Sequence, residues 1–296
     1  MKKLLLGLAV SLCLLSCGKT DNKSSETGKN GKVEKLKVAA TPIPAGELLK
    51  LVKYDLLKEG VDMEIVEFND YVQPDKALQD KSVDANLFQH KPYMENFGKK
   101  NGFEMTAVGP LYLPTLSMYS DKVKSVDELK NGATIIVPND PTNLARALLI
   151  MDKKGIIKVK NNKDFGTKLT DIVENKKNLK FVEMSADQIA PRYKEVDAAF
   201  INSSFALDAG LNPKQNGILN EDKDSPYANV LAVLKGNEKD PRVQKLYKAL
   251  QSEKVKKFIQ EKYKDVLDYI ISVGCKYYYN YIPFDVMGLP LPLEKK

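Results

Sequence analysis

Two rhythms of apolar residues alternate along the chain. Short continuous runs read as buried strands: LKVAATP (36–42), MEIVEF (63–68), DANLF (84–88), ATIIVP (133–138), LKFVEM (179–184), DAAFIN (197–202) and YANVLAVL (227–234). LYLPTLSMYS (111–120) reads as an extended segment interrupted by Pro114. Between the runs, apolar residues recur at helical spacing. Leu48, Leu49, Val52, Leu56 and Leu57 predict a helix that Gly60 closes, and LARALLIMDK (144–153) predicts another ending near Gly155. SVDELKNG (125–132) reads as a helix with Ser125 as N-cap and Glu128 at the capping-box position. DPRVQKLYKALQ and EKVKKFIQEKY predict two more near the end. Strand, helix, strand is the signature of a parallel sheet with crossover helices. The units fall in two successive groups, which predicts an α/β chain of two lobes with a ligand cleft between them.

The amino terminus breaks this rhythm. Lys2 and Lys3 precede an apolar run, Leu4 to Leu15, too short to span a bilayer as a stable helix, so the segment reads as an export signal. Leu14-Leu15-Ser16-Cys17 resembles the lipobox of bacterial lipoproteins, which implies removal of residues 1–16 and lipidation of Cys17. Residues 17–35 are almost free of large apolar side chains and rich in Gly, Ser, Asn and Lys, the composition of a flexible tether. Of the three cysteines only Cys275 is then left, so no intrachain disulfide is expected and stability must come from the core. The formal charge of +7, or +5 without Lys2 and Lys3, is spread along the chain, and no nucleic-acid partner is expected.

Several separated strings resemble one family, the methionine-binding lipoproteins of ABC importers (the NlpA/MetQ family). They are Thr41-Pro42-Ile43-Pro44, FNDYVQPDKAL (68–78), DANLFQHKPYMENF (84–97), VPNDPTNLARALLIM (137–151), DAAFINSSFALDAGLNP (197–213) and DSPYANVLAV (224–233). The resemblance covers roughly residues 36–263. It implies a two-lobed periplasmic-binding-protein fold, with lobe I at 36–120, lobe II at 121–225, a return to lobe I at 226–263 and an atypical tail at 264–296. It also implies capture of L-methionine and its delivery to a permease and its ATPase, by a monomer lipid-anchored on the extracytoplasmic face of a membrane, without a cofactor.

The residues at these positions suit a free amino acid. A guanidinium can grip a carboxylate at two points, and Arg146 is placed in the first turn of its helix, near the positive end. Asn202 and Asn229 can accept from an ammonium without burying a second negative charge. Thr142, Asn139 and Asn143 read as caps of the Arg146 helix. Tyr71, Phe88, His90 and Tyr93 match the family's pocket positions, and aromatic edges suit a thioether. His90 is the chain's single histidine, which excludes a histidine-pair metal site. Ala45 and Gly46 stand where the family commonly carries a histidine after Thr-Pro-x-Pro, and Phe205 stands where a tyrosine is usual. Another apolar amino acid, a methionine-containing peptide or a role in macromolecular contact remain alternative readings. No phosphate-cradling loop, cysteine cluster or supported Ser/His arrangement points to an enzyme.

Overall fold

The computed structural model describes residues 33–269 except Asp224 and Asp265. The expected leader, Cys17, the tether up to residue 32, Cys275 and the tail beyond residue 269 lie outside the described residues.

The first sheet begins with β1 (Glu34–Ala40), two residues inside the segment expected to be tether, because Glu34 and Lys35 already pair with Val61 and Asp62 of β2 (Val61–Glu67). Between these strands lie an irregular helical turn (Pro42–Gly46) and α1 (Glu47–Lys58). α1 buries Leu48, Leu49, Val52 and Leu56 against the sheet, leaves Tyr54 and Leu57 exposed, and is followed by Gly60 at φ +81°. Next come α2 (Gln73–Gln79), β3 (Ala85–His90), α3 (Lys91–Asn101) and β4 (Met105–Pro114). β1 lies between β2 and β3, parallel to both, and Leu36, Val38, Ala39 and Ala40 are fully buried. A parallel strand covered on both faces needs such a continuous apolar run.

The chain then leaves for a second sheet. β5 (Ser117–Tyr119) belongs there, so the expected limit of the first lobe at residue 120 moves back to Thr115 and Leu116. Ser117 to Tyr119 pair with Ile201 to Ala199, and these backbone bonds rather than the apolar pattern decide which sheet the strand joins. Val126–Glu128 is one 3₁₀ turn instead of the expected capped helix. Ser125 makes no side-chain cap bond, and the Glu128 carboxylate accepts from the Lys124 amide (3.0 Å).

The second lobe continues with β6 (Thr134–Pro138), α4 (Pro141–Lys153), the ribbon β7 (Lys158–Val159) with β8 (Ile172–Glu174), β9 (Lys180–Met184), α5 (Ala186–Arg192), β10 (Ala198–Ile201), α6 (Ser203–Asp208), α7 (Pro213–Asn216) and β11 (Gly217–Asn220). Its sheet runs β11, β5, β10, β6, β9, with β10, β6 and β9 parallel. β12 (Asn229–Leu234) returns to the first sheet between β4 and β3 and is antiparallel to both. α8 (Pro241–Leu250) and α9 (Glu253–Lys262) cover that sheet, and β13 (Leu267–Tyr269), at the start of the atypical tail, pairs with β4 as an edge strand. Two connections therefore link the sheets, one at Thr115 and Leu116 and one between Asn220 and Asn229. Each lobe closes over its own apolar core, one around Leu36, Leu49, Met63 and Leu87, the other around Met118, Ile135, Leu148 and Phe200.

Candidate functional site

A narrow cleft lies between the two lobes, and all seven binding residues named from the sequence line it. The first lobe supplies Tyr71, from the loop before α2, Phe88 and His90 from the end of β3, Tyr93 from the start of α3 and Asn229 from the start of β12. The second supplies Arg146 from α4 and Asn202 from the end of β10. Strand ends and helix starts meet here because the carboxyl edges of both sheets point at the same gap.

Asp140, not an asparagine, caps α4. Its carboxylate accepts from the Asn143 amide (2.8 Å), and Pro141 opens the helix. The helix thus starts three residues earlier than its apolar period suggests, and Arg146 stands in the second turn rather than the first. Asn143, expected only as a cap, also lines the cavity. Its Nδ2 donates to Asp140 (2.9 Å), while its Oδ1 accepts from Asn202 Nδ2 (3.1 Å) and faces His90 Nε2 (3.2 Å).

This chain of bonds fixes the protonation of His90. Nδ1 accepts from the Tyr93 amide (3.1 Å), so the proton sits on Nε2 and is donated to Asn143. A second proton would confront the Tyr93 N–H. Burial, and then the positive charge of Arg146, push the His90 pKa down to about 3. The same bonds leave Asn202 Oδ1 buried without a partner. Asn229 Nδ2 donates to the Phe88 carbonyl (2.8 Å) and to Tyr112 Oη (3.2 Å), which leaves Oδ1 as the free polar atom of that side chain. Two neutral acceptors therefore face one cleft.

Among the described residues that line the cavity, Arg146 is the only ionised side chain, and it is 1 % exposed. Nε donates to Glu221 (2.8 Å), Nη2 to Glu221 and to the Pro114 carbonyl (2.6 Å), and the guanidinium lies 4.6 Å from the centre of the Tyr227 ring. Burial alone would lower its pKa, but the Glu221 carboxylate raises it above the ordinary value. Nη1 takes part in none of these bonds. On the opposite wall Tyr71, Phe88 and Tyr93 form a cluster with ring centres 5.7 to 6.1 Å apart. Phe205 packs on Tyr71 at 4.8 Å, while Ala45 and Gly46 are buried in the turn before α1. The lobes also touch directly, through a 2.5 Å hydrogen bond between Tyr71 Oη and Ser204 Oγ.

Glu221, Tyr112 and Ser204 escaped the sequence reading. Glu221 belongs to the charged string NEDKDS, which looks solvated, and nothing local marks it as buried.

Two α/β lobes joined by two connections, with one cation, neutral acceptors and an aromatic wall in the gap, define a bilobed substrate-binding protein. The chain belongs to the NlpA lipoprotein family, whose profile matches residues 36–268. It is 42% identical over 248 residues to the D-methionine-binding lipoprotein MetQ of Escherichia coli O157:H7, covering 83% of this chain and 88% of the relative. Outer membrane lipoprotein 2 of Mannheimia haemolytica is 38% identical over 259 residues, 86% of this chain and 93% of that one. Among solved structures, a nutrient-binding protein from Burkholderia cenocepacia bound to methionine superposes with a TM-score of 0.77 at 40% identity, covering 80% of this chain and all of that chain.

Proposed function

We propose that this protein captures free methionine outside the cytoplasmic membrane, tethered by a lipid on Cys17, and hands it to an ABC-type permease with its ATPase. The observation that carries the reading is the pairing of Arg146, the single ionised group in the cleft, with the unpartnered Oδ1 of Asn202 and the free Oδ1 of Asn229. A carboxylate docks on Nη1, an ammonium takes the two amide oxygens, and the thioether lies against Tyr71, Phe88 and Tyr93, whose ring edges favour sulfur. The methionine in the Burkholderia cenocepacia structure and the names of the MetQ relatives support this ligand. Ligand contacts to both lobes stabilise the closed state by their differential affinity, and the closed shape is what a permease recognises.

The enantiomer is the open choice, because the expected ligand is L-methionine and the relatives' names specify D-methionine. Protein purified under native conditions and then denatured should release methionine, identified by mass spectrometry, and calorimetry on the refolded protein should rank the two enantiomers. No release together with no binding of either enantiomer would sink the reading.

Affinity should also be flat from pH 5 to 8. His90 stays neutral throughout, Arg146 stays charged, and Asp75, which titrates near 7, is separated from the cleft by Gln89. A calorimetric series across that range checks this, and a tenfold weakening toward pH 5 would mean that His90 titrates in the working range.

A further inference from the structure

Arg146 meets the cleft already paired. Glu221 approaches from the side away from the cleft, has a side chain 5 % exposed, and does not line the ligand cavity. Its carboxylate is fully engaged. Oε1 accepts from Arg146 Nε (2.8 Å) and Ser225 Oγ (2.6 Å), and Oε2 accepts from Arg146 Nη2 and the Leu116 amide (3.1 Å). Leu116 and Ser225 lie in the two connections between the lobes, so the carboxylate is held where the chain crosses from one lobe to the other. Asp140, the other carboxylate near the cleft, is committed to the start of α4 through the Asn143 amide and the Thr142 hydroxyl. His90 carries no charge. The buried ion pair at the ligand carboxylate's position is therefore one guanidinium and one carboxylate, which cancel, while the Asp75 carboxyl lies behind Gln89 and is bonded to its amide.

We propose that Glu221 sets the charge class of the ligand, selecting a zwitterion that keeps its ammonium over an analogue that carries the carboxylate alone. The inference rests on the reading that a ligand carboxylate docks at Arg146. A carboxylate arriving there shares one guanidinium with Glu221. If the ligand is an anion, the closed cleft holds two negative charges and one positive, and the surplus is buried away from solvent. If the ligand is an amino acid, its ammonium restores the balance and the charges alternate, Glu221 carboxylate, Arg146 guanidinium, ligand carboxylate, ligand ammonium. Without Glu221 the site has a surplus positive charge, and the anion becomes the better match. Glu221 is thus a specificity residue that never touches the ligand. It acts through the guanidinium it positions and through its charge.

The test compares methionine with its 2-hydroxy acid analogue, in which a hydroxyl replaces the ammonium and the rest of the molecule is unchanged. Calorimetry on the parent protein should give at least a hundredfold preference for methionine. In Glu221→Gln, which keeps an acceptor for the guanidinium and drops the charge, that preference should shrink at least tenfold, whatever happens to the absolute affinities. Glu221→Asp, which keeps the charge and disturbs the geometry, should retain the preference while binding both ligands more weakly. Equal losses for the two ligands in Glu221→Gln would assign Glu221 a purely structural role and overturn the proposal. A parent that binds both ligands within tenfold would overturn it without any variant. A parent that binds neither overturns the methionine reading, and this proposal with it.

Discussion

Arg146→Ala should destabilise the protein by about 3–5 kcal/mol and weaken ligand binding by about 2–5 kcal/mol, the largest combined effect expected from any single change in the cleft. The two losses have different origins. Stability falls because Glu221, with its side chain 5 % exposed, loses two of its four hydrogen-bond donors and its only counter-charge, and is left as a buried, uncompensated carboxylate. Binding falls because the cleft loses its only cation. A double replacement separates them. Arg146→Met combined with Glu221→Leu removes both charges and fills similar volume, so urea unfolding should return much of the lost stability while binding stays lost. Parent-like stability in Arg146→Ala would show that the ion pair contributes nothing net to the fold. Parent-like affinity in either protein would remove Arg146 from the ligand site.

That Arg146 is bound to a carboxylate far along the chain explains why the sequence revealed its place but not its partner. β1, β2, β3, β6, β9, β10, β12 and α1 were legible because their apolar periods are local. Leu48, Leu49, Val52 and Leu56 point to one face whatever lies beyond it. The seven cleft residues were legible because they sit in strings that resemble the family's. Glu221 was not, because its burial depends on a bond to Arg146, 75 residues away, and on the Leu116 amide. The same holds for Asn143, which the local pattern assigns to capping. Asp140 takes that task, and Asn143 is turned toward His90 and Asn202 by tertiary contacts. Residues 117–119 looked like a continuation of the first lobe because Pro114 interrupts an otherwise uniform extended stretch. Pairing with β10, which no local signal reports, decides the matter.

Asp75 shows the same limit and carries the second large prediction. By position it is an acid in the first turn of α2, an ordinary surface preference. It is instead fully buried. Oδ1 accepts from Asn86 (2.8 Å) and Gln89 (2.7 Å), and Oδ2 has no partner. Burial raises its pKa to about 7, although the two amide bonds work against the rise. The unfolded chain releases this proton near pH 3.8 and the folded chain only near 7, so Asp75 lowers stability as pH rises between those values, and the full cost is present above 7. Asp75→Asn keeps the Oδ1 acceptor and puts a donor at the unpartnered position, in a site where Gln89 Oε1 also lacks a partner. The variant should be more stable than the parent by about 1–3 kcal/mol at pH 8, with the gain fading toward pH 4, where both states of the parent carry the proton. His90 gives the variant a second signature. Its pKa of about 3 when folded lies below the unfolded value of 6.5, so its contribution is present above pH 6.5 and is lost as pH falls. In the parent the slopes of Asp75 and His90 oppose each other between pH 4 and 6.5. In Asp75→Asn the His90 slope, up to about 1.4 kcal/mol per pH unit, is no longer opposed by Asp75, so the variant's melting temperature should fall more steeply with acid than the parent's. Thermal unfolding of both proteins from pH 4 to 8 checks this. A gain that persists undiminished at pH 4 would place the benefit in hydrogen bonding alone, and no gain at pH 8 would mean that the parent's carboxyl is not strained by its burial.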